Sequence, residues 1–183
     1  MNLLEIKHRH NLPAFLNDHG LLGAGVEIGI FTGGFSAMFV ENWKGRMFYG
    51  VDSFKNIPTE QYHDGCNRCD LAEVGKTTAE FFKDKSNFTL IHKESLEAAK
   101  DLKYGELDFI HIDGNHHYEA AKADIVAWWP KMKAGGIFTG HDFYLRDDSE
   151  MKCEVARAVL EFSQEIQQPF AVLPCTTWAF IKP

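Results

Sequence analysis

Apolar positions along the chain follow two alternating rhythms. Short apolar runs, AGVEIGI at 24–30, RMFYGVDSF at 46–54, FTLIHKES at 88–95, LDFIHIDG at 107–114 and IFTGHDF at 137–143, have the length and composition of buried strands. Between them apolar residues recur at helical spacing. FSAMFVENW at 35–43 sets Phe35, Met38, Phe39 and Trp43 on one face, and LAEVGKTTAEFFKD at 71–84 forms a second helix weakened by Gly75. LEAAKDL at 96–102 and EVARAVLEFSQEI at 154–166 behave alike, and HYEAAKADIVAWWPKM at 117–132 aligns Tyr118, Ala121, Ile125, Trp128, Trp129 and Met132. Leu12, Phe15, Leu16 and Leu22 mark a short opening helix, stopped by Gly20, that is expected to pack over the sheet. FAVLPCTTWAFIKP at 170–183 reads as two short strands joined near 174–176. This alternation predicts an α/β, doubly wound fold: a mostly parallel sheet with helices on both faces.

Composition narrows the picture. The chain's 183 residues, 45% hydrophobic and 25% charged, suit one globular domain over 1–183, with 1–24 as a helical segment packed on it. A formal charge of −7 with no Lys/Arg run argues against nucleic acid or an anionic membrane as partner. No apolar stretch approaches the roughly 18 residues of a membrane span, and MNLLEIKHRHNLPAF lacks a signal-peptide core, so the expectation is a soluble, cytoplasmic protein. The four cysteines are expected to be reduced. Cys66 and Cys69, in DGCNRCD near His63, lack a second ligand pair for zinc and read as thiols of a polar loop.

Chemistry gathers where the strands end. Asp52, Glu94, Asp113 and Asp142 each close a predicted strand, and Gly29 and Gly33 follow the first. Open α/β sheets bind ligands beyond these ends, and so many carboxylates cannot be buried there without partners. VEIGIFTGG is not GxGxxG, which disfavours a nicotinamide dinucleotide. It does fit ExGxxxG, with Glu27 two residues before Gly29, and Asp52 is placed to accept the ribose hydroxyls of an adenosine. His111 lies within a strand and reads as a hydrogen-bonded core residue; His8, His10 and His19 face solvent, and Trp128 and Trp129 pack in the core. Phe31, Phe143 and Tyr144 flank strand ends and could wall off a site. The unpatterned loop 54–70 is a candidate lid and 143–151 a second wall, neither with a readable code for an acceptor.

VEIGIFTGGFS, YGVDSF, KES, LDFIHIDGNHHYEAAKADIVAWWPKMKAGGIFTGHDF and TWAFIKP together resemble class I S-adenosylmethionine-dependent methyltransferases. The resemblance runs from about residue 25 to 183 and is nearest to small enzymes related to macrocin-type sugar O-methyltransferases and cephalosporin hydroxylase-like proteins. It implies a Rossmann-like seven-stranded sheet with an antiparallel last strand and S-adenosylmethionine across the ends of the first strands. On that basis Glu27, Gly29 and Gly33 shape the methionine pocket, Asp52 binds ribose, and Glu94 with Ser95 borders adenine, where the family more often has Asp. Metal-dependent relatives imply a divalent cation on Asp113, His141 and Asp142. His141 stands where a carboxylate is expected, which weakens magnesium binding, favours manganese, or leaves His141 outside the ligand set.

The resemblance also implies His116, beside Asp113, as the base for a small-molecule hydroxyl, sugar or phenol; His117 lies one residue off the match. The competing reading of this stretch is a cap on the following helix made by Asn115 and a histidine. Self-association stays open. So do two other functions: a nucleotide- or sugar-binding protein without transfer, and a metal-dependent hydroxylase-like or hydrolytic enzyme using Asp113, His116 and Asp142.

Overall fold

The computed structural model describes residues 1–58, 61–62, 65–146 and 152–183. In chain order its elements are α1 (Leu12–Asp18), β1 (Ala24–Ile28), α2 (Gly34–Asn42), β2 (Met47–Asp52), α3 (Leu71–Phe82), β3 (Phe88–His92) and α4 (Ser95–Asp101). There follow β4 (Leu107–Ile112), α5 (Tyr118–Trp128), β5 (Met132–Gly140), α6 (Val155–Glu165), β6 (Ala171–Leu173) and β7 (Thr177–Ile181). The strands form one seven-stranded sheet in the order β3-β2-β1-β4-β5-β7-β6. The first five are parallel, while β7 pairs antiparallel with both β5 and β6. This is the expected doubly wound, Rossmann-like architecture. The chain winds outward from β1 to β3 and then crosses back to β4, so the switch point lies between β1 and β4, where such sheets bind ligands.

Both faces of the sheet are covered, which is why its central strands read as unbroken apolar runs. On one face Ile110, Val26 and Phe138 meet Ala121, Ile125 and Trp128 of α5 and Ala158, Val159 and Phe162 of α6. On the other, Phe48, Phe109 and Ile137 meet Phe35 and Phe39 of α2 and Leu12, Phe15 and Leu16 of α1. Phe39, fully buried, stacks on Phe48 and Phe109 with ring centres 4.7 and 4.5 Å apart. The opening segment is tied down as well as packed: Asn17 Nδ2 donates to the Asn42 carbonyl and its Oδ1 accepts from the Lys44 amide. Leu22 falls beyond α1 and is exposed rather than on its buried face.

The periodic run 117–132 overreaches the helix it predicts. α5 stops at Trp128, Trp129–Lys131 form a 3₁₀ turn, and Met132 already opens β5. Pro130 explains the stop, since it has no N–H to donate to the preceding turn. β5 then carries AGG inside it. Leu107 pairs with Met132 but Phe109 with Ile137, and this bulge places Gly135 at φ 79°. Among the described residues no helix is long and apolar enough to cross a membrane.

Candidate active site

The turn after β1 is built around glycine. Gly29 adopts φ 86°, and a Cβ there would lie 2.2 Å from the Asp113 carbonyl oxygen, so the β1 and β4 ends can meet this closely only without a side chain. Gly33, at φ 80°, occupies the N-cap of α2. Glu27 is buried beneath this turn and accepts a hydrogen bond from Ser36 Oγ. Burial raises its pKa well above the ordinary carboxylate value; the Ser36 bond opposes that shift and nearby Asp113 adds to it.

Glu27 and Gly29 line a cavity of about 930 Å³ that also takes in Asp52, Glu94, Ser95, Asp113, His116, Asp124, His141 and Asp142, whereas Gly33, expected at the same pocket, lies outside this lining with its open face against Phe82. Asp52 Oδ2 accepts from the Phe31 amide at 2.9 Å and Oδ1 from the Phe54 amide at 2.8 Å, which orients the carboxylate and leaves each oxygen further accepting capacity. Glu94 is exposed, 3.3 Å from Lys55 Nζ. The Ser95 hydroxyl donates to Asp124 and accepts from Trp128 Nε1. Ser95 therefore presents an engaged side chain to the cavity, and the buried carboxyl behind it is Asp124, a residue the polar face of a predicted helix does not single out.

At the β4 and β5 ends, Asp113, His141 and Asp142 converge, with one candidate ligand atom from each within 4.8 Å of the others. Asp142 Oδ2 lies 2.9 Å from His116 Nε2 and Oδ1 lies 3.0 Å from His141 Nδ1. Burial acts to raise the Asp142 pKa, but these two imidazoles outweigh it and hold the carboxyl well below the usual range. Asp142 is also in the left-handed region at φ 58°, a conformation costly for a residue other than glycine and common where side chains are aimed for function. Asp113 Oδ1 faces His116 and His141 at 3.8 and 3.9 Å. Two carboxylates and an imidazole so placed are a chemically sound donor set for a divalent cation.

Two residues from outside the predicted set complete this end. Tyr62, buried in the loop after β2, places its hydroxyl 2.9 Å from His116 Nδ1 and accepts from the His116 amide at 3.2 Å. Arg9 brings its guanidinium to 3.7 Å from Asp113 Oδ2. No periodicity marks either; the only signal was an aromatic residue in the unpatterned loop and an arginine among histidines. His111 is the buried core residue expected, with Nδ1 2.9 Å from the Thr139 hydroxyl, its ring stacked on Phe35, and burial lowering its pKa to about 4.

Asn115 does not cap α5. Its Oδ1 accepts from the His117 amide, closing a turn, while the Tyr118 amide donates to Glu154 at 3.3 Å. His117 occupies the N-cap without a capping side-chain bond, and the His116 ring turns toward Asp142. Of the aromatic residues expected to enclose the site, Phe31 lines the cavity; Phe143 packs in the core against Phe170 and Tyr144 is exposed away from it. Cys66 and Cys69 are both exposed, while His63 and parts of both expected walls (59–60, 63–64 and 147–151) lie outside the described residues.

The methyltransferase-domain family profile matches residues 26–143. A solved protein of Corynebacterium glutamicum is similar in fold, with a TM-score of 0.64 and 18% identity over 95% of this chain and 78% of that one. A candidate caffeoyl-CoA O-methyltransferase from Staphylococcus aureus gives 0.65 at 14% identity, covering 96% and 82%. A candidate O-methyltransferase from Klebsiella pneumoniae gives 0.61 at 13%, covering 96% and 80%. At these identities the likeness speaks for the fold. The uncharacterized protein y4gI of Sinorhizobium fredii is 34% identical over 58 residues, 32% of this chain and only 6% of that protein's length. With the family profile spanning β1 through the acidic end of β5, on this strand order, the chain belongs to the methyltransferase-domain family.

Proposed function

We propose that the protein methylates a hydroxyl of a small acceptor, a sugar or a phenol, with His116 receiving the hydroxyl's proton and a divalent cation held by Asp113, His141 and Asp142. One observation carries this reading. The cavity that holds Glu27, Gly29 and Asp52 at the β1 and β2 ends also holds the cluster of two carboxylates and two imidazoles at the β4 and β5 ends. A donor lying along the first group would direct its methyl toward an acceptor at the second. Asp52 is the ribose contact in this scheme, Glu27 and Gly29 shape the methionine pocket, and Glu94, Ser95 and Asp124 border the adenine end.

S-adenosylmethionine supplies an already activated methyl, so the chain's task is alignment, exclusion of water and removal of one proton. A bound cation would polarise the acceptor oxygen, and the imidazole in its donor set favours manganese over magnesium. The acceptor O–H breaks as the O–CH₃ bond forms and the S–CH₃ bond breaks, leaving S-adenosylhomocysteine. For His116 to act as base, its ring would carry hydrogen on Nδ1, donated to the Tyr62 oxygen, and the Nε2 lone pair would have to turn from Asp142 Oδ2 to the acceptor hydroxyl before the proton passes. Asp142, 2.9 Å from Nε2, then stabilises the imidazolium that results.

The test is a panel of sugar, phenol and amine acceptors read by release of S-adenosylhomocysteine. His116→Ala should lower turnover roughly 10²–10⁴-fold with donor affinity nearly unchanged. Chelation should abolish transfer and manganese should restore it best. Full activity in chelator would remove the cation, normal turnover in His116→Ala would remove the base, and transfer to amines alone would overturn O-methylation.

A further inference from the structure

The family match begins at residue 26, yet the cavity wall includes a residue that precedes it. Arg9 sits on the 3₁₀ turn Arg9–Asn11, which is anchored by Ile6 and Leu12 on either side, both almost wholly buried against the α2 side of the sheet. Its guanidinium carbon is 5.8 Å from the Phe35 ring centre, and its side chain is 27% exposed. At 3.7 Å, Asp113 Oδ2 is an ion-pair neighbour but beyond a hydrogen bond. Among the described residues nothing hydrogen-bonds to this side chain.

The other cations of the same wall are occupied. Lys55 Nζ lies 3.3 Å from Glu94 and Lys93 Nζ 2.6 Å from Asp101. Arg9 is thus a planar fork of five N–H donors, shaped for a carboxylate, held on a cavity wall with no hydrogen-bond partner among the described residues. Asp113 cannot serve it fully, because its second oxygen faces His116 and His141. An anion brought by a ligand would find this guanidinium open to the cavity, its side chain 27% exposed.

Position selects the anion. Phe35 belongs to the first turn of α2, directly after the Gly29–Gly33 turn; Asp52 ends β2 on one side of β1, while Arg9 stands beside Asp113 at the end of β4 on the other. With ribose at Asp52, the donor's amino-acid tail points toward Arg9, and its methyl toward the β4 and β5 ends. We propose that Arg9 binds the α-carboxylate of the donor's methionine part through paired N–H···O hydrogen bonds, so that the opening segment completes the donor site. This rests on the donor placement proposed above. The acceptor is the other possible source of a carboxylate at this wall.

Calorimetric titration of the wild-type protein, Arg9→Gln and Arg9→Lys with two ligands separates these cases. S-adenosylhomocysteine carries the amino-acid tail, and 5′-methylthioadenosine has the same adenosine and sulfur without it. Arg9→Gln should weaken S-adenosylhomocysteine roughly 10–100-fold and leave 5′-methylthioadenosine within about twofold, and Arg9→Lys should recover part of the loss. Equal weakening of both ligands would reduce Arg9 to a structural role and overturn the inference. Unchanged binding of both, with transfer lost only to acceptors bearing a carboxylate, would overturn it in favour of the acceptor. If the wild-type protein binds neither ligand, the donor placement falls and this inference with it; if it binds both, only the Arg9 comparison decides.

Discussion

Asp124→Asn isolates the charge state of the buried carboxyl at the proposed adenine end of the cavity. Asp124 is 7% exposed, accepts from Ser95, and has its pKa raised to about 6, chiefly by burial; the Ser95 bond opposes the shift and Glu94 adds to it. An unfolded aspartate gives up its proton near pH 4, so between about pH 4 and 6 the folded protein holds a proton that the unfolded chain has released. The sign follows from linkage. This group's contribution is most favourable below the unfolded pKa, is lost as pH rises through about 6, and is level above that. A shift of roughly two units corresponds to about 3 kcal/mol between the two plateaus. Asparagine keeps the shape and one acceptor oxygen without titrating. Urea unfolding of both proteins from pH 3.5 to 8 should therefore show wild type losing about 3 kcal/mol relative to the variant, most of it between pH 4 and 6. Every other titrating group is common to both, so a difference that does not vary with pH would refute the assignment.

Asp52→Ala removes an acceptor of two backbone amides as well as the proposed ribose contact. The two proposed ribose hydroxyl bonds to this charged acceptor amount to roughly 3–6 kcal/mol by gross count, so S-adenosylhomocysteine binding by calorimetry should become hard to detect; unchanged affinity with a normal circular-dichroism spectrum would take Asp52 out of the site. Tyr62→Phe keeps the ring against His117 but removes the hydroxyl at His116 Nδ1. Turnover should fall about tenfold while donor affinity and acceptor KM hold, a change of about 1.4 kcal/mol in line with one lost hydrogen bond; an unaltered kcat would make Tyr62 a packing residue only.

The candidate cation site joins residues from two strands by one carboxylate each and a histidine that itself leans on Asp142. A hard cation held by oxygen alone would not need His141, whose Nε2 also lies 3.4 Å from the Thr176 hydroxyl. That contact fixes the ring while Nδ1 faces the cluster, the usual way a second partner orients an imidazole donor.

Periodicity and strand-end chemistry, read from the sequence alone, determined the layers and the edge at which the site lies. A strand covered on both faces must be apolar throughout, and a helix on its surface must repeat every 3.6 residues, so β1 to β5 and their helices are written locally. Carboxylates at strand ends were legible for the same reason: Asp52, Asp113 and Asp142 stand where an apolar run meets solvent. What only the tertiary structure decided depends on parts of the chain distant in sequence. Arg9 meets Asp113, Tyr62 meets His116, and Ser95 meets Asp124 because separate elements pack onto one sheet edge, and no local rhythm encodes which turn or loop comes to rest there. The same limit turned Phe143 into the core and Tyr144 away from the cavity. A side chain just beyond a strand end has lost the alternation that assigns it a face, so its direction is set by the backbone turn, here the left-handed Asp142, and by the neighbours packed against it.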